Sequence, residues 1–274
     1  MGKEDVKLWD GQNYHAHSRI QEWISQQLLK DLKTRFASTT LPGATILDIG
    51  CGSGHVSHSI LETFKGVNII GIDPSADMIA YAQHHFPHLN FRIDRAEELK
   101  TIADRSVDAI VSFTCLHWVH DQASAFRNMY RVLKPGGWVG LIFAAETNYP
   151  DPVGEACHLA MAEEPIASLL KPYPKHQWNF AYPEDIKKDI EAAGFVIEEM
   201  KMVVIEFAYD SPAQFRDSMA NWFQQIKVLP KPLQEKCLDR VVELYLQKTA
   251  DKQPKDGKCV IFDSTLQFIL RRPQ

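Results

Sequence analysis

The sequence predicts an α/β protein built on an open, mostly parallel sheet with helices on both faces. Between about residues 45 and 145, short aliphatic runs alternate with stretches whose apolar residues recur every three or four positions. Parallel strands joined by helical crossovers require that order. The first run is broken by glycines and the second ends in an acid. Apolar residues make up 45% and charged residues 24% of the 274, a globular balance that argues against disorder.

The elements follow in order. Ile20, Trp23, Ile24, Leu28 and Leu32 form the apolar stripe of a helix over 15–32. Residues 45–49 form a strand that the glycines of 50–54 break, and a helix follows to about 64. A second strand, 67–72, runs into Asp73, and Ser75 can cap a helix carrying Met78, Ile79 and Ala82. Strands at 90–93 and 107–113 precede a helix at 121–133 with Ala125, Met129, Val132 and Leu133 on one side. Pro135-Gly136-Gly137 reads as a turn into a strand at 138–144.

The rhythm then loosens. Pro150, Pro152, Pro165, Pro172 and Pro174, with Trp178 and Phe180, mark an insertion over 146–183. A helix at 184–193 stops at Gly194, as a helix-ending glycine dictates. A strand region at 195–207, helices at 211–225 and 233–247, a turn at 254–258 and a closing strand at 259–270 complete the chain. No internal repeat is visible.

Thirty Lys and Arg against 35 Asp and Glu give a net charge of -5, so no nucleic-acid partner is expected. The five cysteines are widely spaced without a CxxC pair, which suits a reducing compartment. Residues 1–10 lack an apolar signal core, and the longest apolar run, 135–145, is too short to span a bilayer. A cytoplasmic protein without a transmembrane segment is expected. His84, His85 and His88 lie close together, but Pro87 breaks the helix that would align them, and no metal site is expected.

The sharpest motif is Leu47-Asp-Ile-Gly-Cys-Gly-Ser-Gly54, a strand feeding a glycine loop that feeds a helix. Glycines allow a tight turn and a close approach of ligand to backbone. Asp73 follows at the end of the next strand, where a carboxylate can accept both hydroxyls of an adenosine ribose. A dinucleotide or S-adenosylmethionine would fit. The sixth position of the GxGxxG pattern is not glycine here.

Leu47–Gly54 resembles motif I of the class I S-adenosylmethionine-dependent methyltransferases. Asp73-Pro-Ser-Ala-Asp-Met-Ile79, Asp94-Arg-Ala-Glu-Glu-Leu99, Val107-Asp-Ala-Ile-Val111 and Leu133-Lys-Pro-Gly-Gly-Trp138 resemble the blocks that follow it. The resemblance implies a Rossmann-like, seven-stranded, mostly parallel sheet with a mainly helical substrate lid. It implies S-adenosyl-L-methionine as cofactor, with Gly50, Gly52 and Gly54 at its methionine portion and ribose. Asp48 would orient the loop and the amino group, and Asp73 would accept the ribose. Pro74 and Met78 would pack on the adenine, Asp94 would meet its amino group and Ala96 would offer backbone. Cys115 and Leu116 would lie beside the reactive methyl.

The resemblance also divides the chain. Residues 1–40 would be a helical segment covering the site, 41–145 the cofactor core, 146–183 a lid insertion and 184–207 a core helix and strand. A helical lid over 208–258 and a closing strand and tail over 259–274 would follow.

Cys115-Leu-His-Trp-Val-His-Asp-Gln122, with Ala125-Phe126, Asn128 and Tyr130, resembles the enzymes acting on juvenile hormone acid, within a group that also takes trans-aconitate and a malonyl thioester. Tyr14, Ser18 and Gln21 resemble that group's N-terminal helix. The resemblance implies methyl-ester formation on a small or lipid-like carboxylic acid, with Gln21 and Trp118 as donors to the carboxylate. Transfer to a phenol, amine or carbon of another small molecule is the alternative, and His117 would then serve as base. Arg19 and Arg216 are candidates for a second acidic group on the substrate. A monomer or weak dimer is expected.

Overall fold

The structure, a computed structural model, describes residues 11, 14, 17–173 and 178–274. Its helices and strands, numbered along the described chain, are α1 (Arg19–Phe36), β1 (Thr45–Ile49), α2 (His55–Thr63), β2 (Asn68–Asp73), α3 (Ala76–His85), β3 (Asn90–Ile93), β4 (Val107–Phe113), α4 (Gln122–Val132), β5 (Leu133–Phe143), α5 (Pro152–Met161), α6 (Ile166–Leu170), α7 (Pro183–Ala192), β6 (Val196–Tyr209), α8 (Pro212–Trp222), α9 (Lys231–Lys248) and β7 (Cys259–Arg271). The expected sheet is present. Seven strands lie in the order β3-β2-β1-β4-β5-β7-β6. The first five are parallel and β7 runs antiparallel to β5. The order reverses between β1 and β4, which opens a crevice at the carboxyl ends of those two strands.

Chain contacts divide the molecule into two units, described separately. The sheet unit comprises Ile20–Thr147, Trp178–Val203 and Thr265–Gln274. Its strands carry apolar side chains on both faces because helices cover both. Leu47, Ile110, Val139 and Phe268 of the strands share a core with Phe126 and Met129 of α4 and with Ile186 and Ile190 of α7. Leu28 and Leu32 of α1 are fully buried. A Cβ on Gly140 of β5 would stand 2.7 Å from Leu32, so the bare backbone lets α1 settle on the sheet. Phe36 closes that helix by stacking on Trp138 at 4.5 Å.

Local signals behave as their chemistry requires. Ser75 caps α3 by accepting from the Met78 N–H, and Asp121 caps α4 by accepting from the Ser124 N–H. Gly194 follows α7 at φ 100°, as a helix-ending glycine can. One local reading needs correction. Pro135-Gly136-Gly137 lies within β5, as an irregularity in its pairing with β4: Val107 faces Leu133 and Ala109 faces Trp138. The turn is absorbed as an outward loop of a strand that has already begun. The N-terminal helix extends past Leu32 to Phe36, while residues 15 and 16 of the expected helix lie outside the described residues.

The helical unit holds Asn148–Gln177 and Val204–Ser264, with the described residues up to Arg19. The expected insertion is helical in part, containing α5 and α6. Its boundary in the contacts falls before Trp178, so Trp178 and Phe180 belong to the sheet unit. Arg216 pairs with Glu235 and Asp239, and Arg19 with Asp210 at 3.1 Å. Both arginines proposed for a second acidic substrate group are thus engaged by acids of their own unit. The Tyr245 hydroxyl donates to the Val260 carbonyl at 2.7 Å and accepts from the Phe262 N–H, tying α9 to β7.

Gly140→Ala is expected to destabilise the protein by about 1–3 kcal/mol, because buried Leu32 has nowhere to move. Urea denaturation would measure it. Adding Leu32→Ala should cost less than the sum of the two single changes.

Candidate active site

The site is built at the carboxyl ends of β1, β2 and β4, all within the sheet unit. Gly50, Gly52 and Gly54 adopt φ of 75°, 52° and 86°, the left-handed region in which a Cβ is strained. Gly50 is glycine for a second reason: a Cβ there would stand 2.2 Å from the Cys115 Sγ. The glycine loop therefore rests on the turn that follows β4. At Gly54 a Cβ would meet Phe91 at 2.8 Å.

Asp73 stands at the end of β2. One of its oxygens accepts from the Gly52 N–H at 3.2 Å and the other from the Ser75 N–H at 2.8 Å. Each oxygen keeps a lone pair for another donor. Burial pushes its pKa up to about 6, partly offset by those two bonds. Asp48, on β1, is buried and accepts from the Ser57 hydroxyl at 2.6 Å. Burial pushes it up to about 7, against the Ser57 bond and with a further push from the charge of Asp73. Two uneasy carboxylates beneath a glycine loop fit a cationic nucleoside whose ribose offers two hydroxyls.

The other cofactor candidates divide. Pro74 is exposed, whereas the Met78 and Ala96 side chains are buried. Asp94 is engaged by its own loop: its carboxylate accepts from the N–H groups of Arg95, Lys100 and Thr101 and from the Thr101 hydroxyl. Burial works to raise its pKa, but those four bonds outweigh it and hold the acid below its ordinary value. Four donors fill the sites that a carboxylate offers. The side chain closes the loop and leaves little capacity for an adenine amino group.

Beyond β4 the chain turns sharply. Thr114 takes φ 48°, an uncommon left-handed conformation for a β-branched residue. A 3-10 turn, Leu116–Trp118, follows. The Leu116 side chain packs into the core. Burial, with Asp73 nearby, pushes the Cys115 thiol up to about 12, so it is no nucleophile. The His117 Nδ1 accepts from the Ala144 N–H at 3.3 Å, and its ring lies 5.5 Å from Trp118 and 6.0 Å from Phe180. Burial pushes its pKa down to about 3.

Two residues that the sequence did not single out hold this turn. Asn179 donates its backbone N–H to the His117 carbonyl at 2.6 Å and its side-chain amide to the carbonyls of Val119 and His120. Gln122 donates to the carbonyls of Leu116 and Asn179. Trp178 packs edge-on against Trp118 at 6.0 Å and stacks on Phe180 at 5.5 Å. Gln21 lies apart on α1, and its Oε1 is buried without a hydrogen-bond partner among the described residues. Among those residues no group of three or more His, Cys, Asp or Glu is placed to hold a metal, and no helix is long and apolar enough to cross a membrane.

Fold, glycine loop and buried acids together define a class I S-adenosylmethionine-dependent methyltransferase, and residues 47–141 match the methyltransferase-domain family. Residues 47–141 carry that domain. It is 29% identical to the juvenile hormone acid O-methyltransferase of Bombyx mori over 242 residues, covering 84% of this chain and 85% of that protein. It is 28% identical to the mitochondrial ubiquinone biosynthesis O-methyltransferase of Rattus norvegicus, over 72% of this chain and 58% of that one. Its fold matches the Haemonchus contortus phosphoethanolamine N-methyltransferase 2 in complex with S-adenosyl-L-methionine at a TM-score of 0.57, with 19% identity over 91% of this chain and 53% of that one.

Two outcomes are expected. First, below about pH 6–7 the unliganded protein holds protons on Asp73 and Asp48 that the unfolded chain, at the ordinary 3.8, has lost. These groups therefore make the unliganded protein less stable as pH rises from about 4 to 7. A cationic ligand favours the ionised acids, so S-adenosylmethionine should bind more tightly as pH rises through about 6–7, with proton release. Calorimetry in buffers of different ionisation enthalpy reads that release directly, and Asp73→Asn should diminish it. Second, Asn179→Ala should lower kcat/KM for the methyl acceptor by about tenfold through the loosened turn while cofactor affinity changes little.

Proposed function

We propose that the enzyme transfers the methyl group of S-adenosylmethionine to a carboxylate oxygen of a small or lipid-like carboxylic acid, forming a methyl ester. The observation that carries this reading is the acceptor-side turn, which offers no base. His117 is held neutral with Nδ1 occupied, and the Cys115 thiol is held protonated. A carboxylate is ionised at neutral pH and needs no proton removed, whereas a hydroxyl or amine usually does. The juvenile hormone acid relative, aligned over most of both chains, supports the same acceptor class.

The cofactor supplies an electrophilic methyl on a sulfonium. The chain's own residues then have to bind, align and exclude water. The alignment of nucleophile, carbon and sulfur contributes on the order of 7–11 kcal/mol. Gly50, Gly52, Gly54, Asp48 and Asp73 would hold the cofactor. The Gln21 amide N–H and the Trp118 indole N–H would hold the carboxylate. Loss of the acceptor's charge on esterification would ease product release.

The ubiquinone biosynthesis relative supports a second reading, methylation of a phenol or another non-acid group. One assay separates them. Tritiated methyl transferred into a small-molecule extract should be released as volatile methanol by mild alkali. Alkali-stable label would reject the ester. Gln21→Ala and Trp118→Phe should each raise KM for the acceptor about tenfold or more, leaving cofactor affinity within about twofold.

A further inference from the structure

The reading of His117 can be taken further than the absence of a base. A backbone N–H is always a donor, so the Nδ1 that receives the Ala144 N–H at 3.3 Å is the acceptor nitrogen of the ring. The single proton of the neutral imidazole therefore sits on Nε2. Two constraints hold the ring in this state. The His117 carbonyl is pinned by the Asn179 N–H at 2.6 Å, which fixes the backbone of the turn. Trp118 and Phe180 flank the imidazole, and desolvation is the sole cause of its depressed pKa, with no charged group contributing. No described residue accepts from Nε2. The Nε2–H is thus left for a partner other than the described residues, on a turn whose Cys115 packs against the glycine loop at Gly50.

We propose that His117 binds the methyl acceptor as a neutral hydrogen-bond donor, through Nε2–H to an acceptor oxygen, and that it never takes a proton from the acceptor. The inference rests on the reading that the acceptor is an oxyanion. The chemistry favours a neutral donor over a charged one. As the O–CH3 bond forms and the S–CH3 bond breaks, the carboxylate loses its negative charge and the bonding pair stays on sulfur. No proton is transferred. An imidazolium would hold the anionic ground state more tightly than the transition state and slow the reaction. A neutral N–H can hold one carboxylate oxygen and leave the lone pair of the other directed at the methyl.

The test is direct. In enzyme labelled with 15N-histidine and saturated with S-adenosylhomocysteine, the His117 ring should show an unprotonated Nδ1 and a protonated Nε2 from pH 5.5 to 8.5. A ring that titrates between pH 6 and 7, or that carries its proton on Nδ1, would overturn the proposal. Kinetics adds a second readout, with the small-molecule extract as acceptor and tritiated S-adenosylmethionine as donor. His117→Gln places an amide N–H near the position of Nε2 and should keep the transfer rate within about threefold. His117→Leu should lower it about 30-fold with cofactor affinity unchanged. Equal losses in both variants, with a pH limb near 6.5 that disappears, would mark a base and overturn the proposal. Should the leucine variant not fold, the tautomer measurement decides alone. Alkali-stable label in the extract would count against the ester reading, while a titrating His117 would count against the donor, so the two failures are distinguishable.

Discussion

Two carboxylates at the ends of neighbouring strands, Asp48 buried and Asp73 half-buried, are the constraint on which the rest of the site depends. Asp48 and Asp73 repel each other, and burial disfavours the charge on both. The fold tolerates them because each has donors aimed at it: the Ser57 hydroxyl at one, the Gly52 and Ser75 N–H groups at the other. Gly52 donates from a positive-φ backbone, so the glycine loop satisfies the acid as well as making room for a ligand. Loop conformation, acid ionisation and affinity for a cationic nucleoside are one problem with one solution.

The acceptor side obeys a different logic. Around Leu116–Trp118 the polar groups are neutral, and the turn is held by amides. Asn179 and Gln122 satisfy the carbonyls of Leu116, His117, Val119 and His120. The Phe180 ring packs beside His117, and the Trp178 ring beside Trp118. An anionic cradle at the glycine loop and an uncharged turn after β4 thus belong to one unit, and a cationic donor of methyl suits the first.

Much of this was legible in the chain alone, where the signal is local. The strand run Thr45–Ile49, the glycines after it and the acid ending β2 are set by neighbours a few residues apart, and pattern finds them. The Asn179 clamp was not legible, because its partners lie about 60 residues away and nothing in Trp178-Asn-Phe180 advertises them. Asp94 shows the converse limit. Its place in the loop was readable from its surroundings, but four donors from residues 95–101 consume its carboxylate, a fact of backbone closure that composition does not carry. The Pro135-Gly136-Gly137 turn was read correctly as an interruption but not as one inside a strand, because the pairing of Leu133 with Val107 is a tertiary matter.

The contact between Gly50 and Cys115 makes the cofactor loop and the acceptor turn a single mechanical part. With a Cβ on Gly50 excluded at 2.2 Å, neither segment can shift toward the other without pushing it. By thermodynamic reciprocity, whatever the acceptor does to cofactor affinity through this contact, the cofactor does in equal measure to the acceptor.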